Sequence, residues 1–176
     1  MGAGFLPVAI HNGKLYFLFG KENKYADTPG FADFGGGTDN KEPFLETALR
    51  EFTEETTGFF GSIASLRQYV KQKGFYPIDY VPQTKRYRTY RTHLLPMEYN
   101  PQVVFYYNNN QRFLQKHLPK AVYKKEKFFE KSEMRWFSFE ELEASKPLFR
   151  PYYRDIIQLI VEQIDRIEPF VRSRLE

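Results

Sequence analysis

Three consecutive glycines, a short polar turn and a helix-patterned run ending in three glutamates constrain this chain more than any other stretch. Residues 35–58 read GGGTDNKEPFLETALREFTEETTG. Pro43 suits a first helical turn, where its missing N–H would have no partner. Asp39, Asn40 and Glu42 place capping and acidic groups near that end. Leu45, Ala48, Leu49 and Phe52 recur at helical spacing and form one apolar stripe. At about 100° per residue, Glu51 and Glu55 lie about 40° apart, with Glu54 about 60° to the other side of Glu51. Three carboxylates thus crowd one face, and Arg50 is the one cation among them. Like charges at these spacings repel, a cost that a bound cation relieves. Hard divalent cations take oxygen ligands, and Mg2+ is the usual choice where a phosphate completes the shell. Glycine lets backbone approach a ligand closely, so the Gly36 carbonyl is a further candidate ligand. For such a run standing alone, the other reading is a solvated acidic helix face.

The spacing resembles the Nudix box: Gly, five residues, Glu, seven residues, Arg-Glu, an apolar residue, any residue, Glu-Glu. Here those positions are Gly36, Glu42, Arg50, Glu51, Phe52, Glu54 and Glu55. The family pattern continues with any residue, Gly and an apolar residue. This chain has Thr56, Thr57 and Gly58, so its closing glycine comes one position late. We expect a slightly longer helix, with Gly58 as its cap and Phe59 and Phe60 as the apolar follow-on. The resemblance implies a loop–helix–loop that binds Mg2+, or alternatively Mn2+, and hydrolyses a diphosphate linked to another group. It marks Glu51, Glu54 and Glu55 as the metal-binding and water-activating set, with Gly36 offering its carbonyl. Arg50 orients that set, and Glu42 has a more structural role. It implies a Nudix α/β/α sandwich with a mixed, mainly antiparallel sheet.

The chain of 176 residues is long enough for one domain with a sizeable core, and one domain is expected over residues 1–176. No run approaches the roughly 18 apolar residues of a membrane span. The N-terminal MGAGFLPVAI does not read as a signal peptide, and cytoplasm or nucleus is the default expectation. With no cysteine, thiol chemistry is excluded. A net charge of +4 suits a polyanionic phosphorylated substrate without by itself indicating nucleic acid. The oligomeric state is left open.

Along the chain, 5–10 and 15–19 read as a hairpin around Asn12-Gly13. A polar loop over 21–30, with Lys24 and Tyr25 as candidate substrate contacts, leads to a strand over Phe31–Phe34. A strand is expected within Ser62–Val70, then an irregular loop over 71–83. Residues 84–95 read as a strand with Arg86 and Arg88 as candidate substrate residues. Interleaved tyrosines and arginines can stack on bases or simply pack. His93 reads as a packed or surface histidine rather than a ligand, since no other His or Cys stands at ligand spacing. A second strand is expected over Gln102–Tyr107, ended by Asn108-Asn109-Asn110, with a short helix over Gln111–Leu118. The lysines of 120–131 read as a solvated face or a polyanion contact. A strand ending at Phe137 meets Ser138 as N-cap with Glu141 three residues on. In the resemblance this is the late strand, and Glu133 or Glu130 is the candidate extra ligand or base. A final amphipathic helix is expected over Tyr152–Val171.

The expected activity is metal-dependent cleavage of a phosphoanhydride in a nucleotide derivative or an RNA 5′ cap, RNA being a candidate partner. The triple glycine and the Arg-Thr-Tyr strand also resemble diphosphoinositol polyphosphate phosphohydrolases. A Nudix module that binds nucleotide or RNA without cleaving it is the third reading.

Overall fold

The computed structural model describes residues 1–84 and 87–176. Strands β1 (Gly2–His11) and β2 (Lys14–Glu22) form the expected hairpin. Asn12 and Gly13 both take positive φ, 50° and 75°, matching a tight hairpin turn. Two short strands, β3 (Phe31–Ala32) and β4 (Phe34–Gly37), replace the single one expected there. β3 pairs with β2 and β4 with β1, so the chain changes partner at Asp33. β1 also pairs in parallel with β6 (Tyr90–Pro96), which pairs antiparallel with β5 (Tyr76–Tyr80). β7 (Lys131–Ser138) lies antiparallel to β2. The order is β3-β2-β1-β6-β5, with β4 on β1 and β7 on β2, a mixed and mainly antiparallel sheet.

Alternation along β1 and β2 sends side chains to two cores. On one face, Ala3, Phe5 and Leu18 meet helices α1 (Phe44–Glu55), α2 (Ile63–Lys73) and α3 (Pro101–His117). On the other, Leu6, Val8, Phe17 and Phe19 meet α6 (Tyr153–Glu162) and α7 (Ile164–Leu175). The result is the expected α/β/α sandwich. Among the described residues, no helix is long and apolar enough to cross a membrane.

Five further expectations are corrected. The strand expected in Ser62–Val70 is α2, whose start is set by Ser62 accepting the Ser65 N–H at 3.2 Å. The loop expected over 71–83 contains β5, held by its pairing to β6. The strand expected over Gln102–Tyr107 is the start of α3. Asn100 caps it by accepting the N–H groups of Gln102 and Val103, and Pro101 sits at its first position. Buried Tyr107 and Gln111, one turn apart, outweigh the β preference of the Val-Val-Phe-Tyr-Tyr run. The single final helix is two, parted at Gln163, and both reach the sheet through Ile160 and Ile167. The strand expected from 84 is formed only from Tyr90 among the described residues.

After α3 come α4 (Lys120–Lys125) and a 3-10 turn over Lys127–Phe129. The capping box at α5 (Phe139–Leu142) is present, with the Ser138 N–H donating to Glu141 Oε2 at 2.7 Å. Of the two placements open to His93, the structure shows the packed one: its Nδ1–H donates to the Gly4 carbonyl at 3.0 Å, and burial lowers its pKa to about 4.

Candidate active site

Helix α1 packs Ala48, Leu49 and Phe52 into the core, so the residues between them line its edge. Pro43 precedes the first helical turn as N-cap, and its carbonyl accepts the Thr47 N–H at 3.1 Å. The helix ends at Glu55 and does not lengthen to reach the late glycine. Thr57 instead adopts φ +51°, a left-handed conformation in which the resemblance places glycine, and Gly58 follows at +74°. The shifted glycine therefore leaves the carboxylate spacing on α1 intact.

Arg50 organises the box. It donates to Glu51 at 2.5 Å, to Glu42 at 3.0 and 3.4 Å, and to the Gly37 carbonyl at 3.2 Å. Glu54 lies 3.7 Å from its guanidinium. The Glu42 hydrogen bond does most to raise the pKa of Arg50. Glu42 also accepts from the Thr47 hydroxyl at 2.8 Å, which ties the glycine turn to the helix start.

Glu51 and Glu55, one turn apart, come together with Glu130, and one oxygen of each lies within 4.8 Å of the others. Glu130 is the second of the two late glutamates considered above. The other, Glu133, is half-buried on β7 and pairs with Lys21 at 3.3 Å, so the structure does not bring it to this group. Glu54 lies beside the group rather than in it, between Arg50 and Lys127, whose Nζ is 3.5 Å away. Gly36 stands directly over Glu51: a Cβ there would meet that carboxylate at 2.7 Å.

These residues fit a hard divalent cation. The donors are all oxygen, and Glu55 Oε2 is buried without a hydrogen-bond partner among the described residues. Burial pushes the Glu55 carboxyl well above its ordinary range, and Glu22, Glu130 and Glu51 add to that rise against the pull of Lys131. Glu130 is raised by desolvation and then by Glu51 and Glu22. Concentrated, partly desolvated negative charge of this kind favours a bound cation.

Sequence reasoning missed the support beneath. Lys131, buried on β7, pairs with Glu22 and lies 3.5 Å from Glu55. Burial alone would lower its pKa, but Glu22 and Glu55 together raise it. Arg150 pairs with Glu22 at 3.0 Å. Buried Asp33 accepts from Tyr90 and Thr92, each at 2.9 Å, and burial raises its pKa to about 7. Alternation gives no signal for Lys131, since it shares a face of β7 with half-buried Glu133 and exposed Arg135.

A cleft of about 330 Å3 holds Glu55, Glu130, Gly35 and Gly36 together with Tyr25, Lys124 and Arg150. The Lys24 and Lys124 ammonium groups lie over the Tyr25 ring at 5.3 and 4.8 Å. Lys24 also lines a neighbouring cleft of about 550 Å3 that shares Glu22, Asn23 and Tyr25. Arg88 is exposed and lines a third, of about 480 Å3, over Gly35–Gly37 and Arg150. Arg86 lies outside the described residues. Arg91 is bound to Asp79 at 2.6 and 2.9 Å, and Tyr90, largely buried, forms part of the wall of the third cleft.

This fold is that of the Nudix hydrolases. A C. elegans Ap4A hydrolase complex matches over 96% of this chain and 96% of its own, with TM-score 0.56 and 16% identity. RenU, a Nudix hydrolase from M. smegmatis, matches over 94% of this chain and 86% of its own, with TM-score 0.52 and 15% identity. No protein-family model matches. In sequence, 61 residues, 33% of the chain, are 41% identical to the uncharacterized protein L534 of Acanthamoeba polyphaga mimivirus. That match spans 20% of the viral protein.

Proposed function

We propose that this protein is a divalent-cation-dependent hydrolase of a phosphoanhydride, in a diphosphate linked to a nucleoside or to the 5′ end of RNA. The observation that carries this reading is the gathering of Glu51, Glu55 and Glu130 at a cleft roofed by Gly35 and Gly36. Glu51, Glu55 and Glu130 would hold the cation, Mg2+ or alternatively Mn2+, with the Gly36 carbonyl beside them. When bound, such a cation offsets phosphate charge and acidifies water.

The chain's own residues divide the remaining work. Arg50 fixes the Glu51 carboxylate by a 2.5 Å hydrogen bond, so its geometry is set before substrate arrives. Glu54, outside the three-carboxylate group, would take a proton from attacking water or complete the cation's shell. Lys124, Arg150 and Arg88 present positive charge along the clefts, suited to the remaining phosphates. Tyr25 offers an aromatic face at the same opening. The single-domain organisation and a cytoplasmic or nuclear setting belong to this proposal too.

The test is product release with Mg2+ and with EDTA across a panel of capped RNA, dinucleoside polyphosphates, nucleotide sugars, nucleoside triphosphates and a diphosphoinositol polyphosphate. Metal-dependent cleavage of a nucleotide or capped RNA supports the proposal. Cleavage of the diphosphoinositol alone would replace the substrate class. Tight binding without cleavage would make the protein a non-catalytic module.

A further inference from the structure

Between Pro101 and Lys127 six lysines and arginines stand against one acid, Glu126, so this segment carries five net positive charges while the whole chain carries four. Residues 67–91 carry a second excess, seven lysines and arginines against Asp79, and the excess at 101–127 falls on α3, α4 and the turn after them. The aromatic side chains that the fold leaves open gather there as well. Phe105 and Tyr106 are each 60% exposed and Phe113 61%, all on α3, and Phe128 follows on the 3-10 turn. The remaining exposed aromatic side chain among the described residues, Phe59, packs against Tyr107 of α3 at 5.6 Å.

Core packing does not explain this distribution. α3 anchors itself through buried Tyr107 and Gln111 and through Asn108, which exchanges hydrogen bonds with the Met134 backbone. Its outward face could have been wholly polar. Instead it alternates rings with Arg112, Lys116 and His117, and the Phe113 and His117 rings lie 4.4 Å apart. Aromatic faces that stack on successive bases, set among cations that track a phosphate backbone, are what a single-stranded polynucleotide requires.

The surface also leads to the carboxylates. Gln115 and Lys120 line the 550 Å3 cleft, Lys124 lines the 330 Å3 cleft with Glu55 and Glu130, and Lys127 is 3.5 Å from Glu54. We propose that the α3–α4 face binds the body of a single-stranded polynucleotide whose 5′ end enters the carboxylate cleft. The second half of this statement rests on the hydrolytic reading above. The first half does not.

Binding is measured by fluorescence anisotropy with a single-stranded RNA of about 20 nucleotides bearing a 5′-hydroxyl, which offers nothing to hydrolyse. The expected result is binding that weakens steeply with salt, by about 0.7 log units per log unit of salt for each phosphate neutralised. Phe105→Ala/Tyr106→Ala/Phe113→Ala should weaken it at least about tenfold, and Arg112→Ala/Lys116→Ala should lower the salt slope. All five side chains project outward, and a thermal melt checks that each variant folds. A wild-type protein that does not bind the RNA, or variants that bind it equally well, would overturn the proposal. So would equal affinity for an acidic peptide, or a homodimer that the aromatic variant dissociates, since either would assign the face to protein. RNA binding together with failure to cleave any panel substrate would leave this surface standing and remove the hydrolytic reading alone.

Discussion

The Lys131 ammonium and the Glu55 carboxylate, both buried, face each other at 3.5 Å, and Glu22 pairs with the same lysine. One buried cation thus serves two buried acids, one of which belongs to the candidate metal group. Removing a single member of such a set leaves charge buried and uncompensated, at a cost of about 3–5 kcal/mol. Lys131→Met should lower stability by that order in urea unfolding. An unchanged midpoint would show that the lysine does not support the site.

Gly36 lies against Glu51 so closely that a Cβ would meet its carboxylate at 2.7 Å. Gly36→Ala should displace that ligand while the strand persists. We expect metal-dependent turnover to fall about 10- to 100-fold, as for loss of a group that orients a metal ligand, with a higher Mg2+ requirement. Unaltered Mg2+ activation would contradict this placement.

Thr57 holds a left-handed φ of +51°, and its hydroxyl is buried without a hydrogen-bond partner among the described residues. Left-handed backbone costs a residue with a β-carbon roughly 1–2 kcal/mol. Thr57→Gly should therefore stabilise the protein by about 1 kcal/mol, seen as a melting temperature a few degrees higher. A lower melting temperature would mean that the side chain contributes packing greater than the strain.

How much of this was readable from the chain depends on range. The three box glutamates and Arg50 lie within six residues of one another, so helical geometry alone placed them. The hairpin turn and the Ser138–Glu141 cap were local too, and both appear as expected. Lys131, Glu22 and Arg150 come together only when β2, β7 and the segment before α6 meet, and helical or strand periodicity carries no information about that. The start of α3 differs, because its signal is present in the chain: Asn100-Pro101 is a helix start, and it outweighs the β-prone run after it.

Asp33 carries the pH prediction. Burial raises its carboxyl to about 7, whereas an unfolded Asp titrates near 4. Between those values the folded protein retains a proton that the unfolded chain has released. The stability this group contributes is therefore fully present below about pH 4 and is lost as pH rises through about 7. Three pKa units correspond to up to roughly 4 kcal/mol. Asp33→Asn, similar in shape and unable to ionise, should gain stability relative to wild type between pH 5 and pH 8, read by denaturant unfolding at the two values. Parallel pH profiles for the two proteins would contradict a carboxyl that titrates in the core.

The most direct test of the central claim compares wild type, Glu51→Gln and Glu54→Gln on the best substrate of the panel, across a Mg2+ titration and with melting temperatures recorded alongside. The carboxylate-centred account predicts cleavage abolished by EDTA in the wild type and turnover reduced at least about 100-fold in each variant, with both variants still folded. Cleavage that survives EDTA, or variants that turn over like the wild type, would show that the chemistry does not reside at these glutamates.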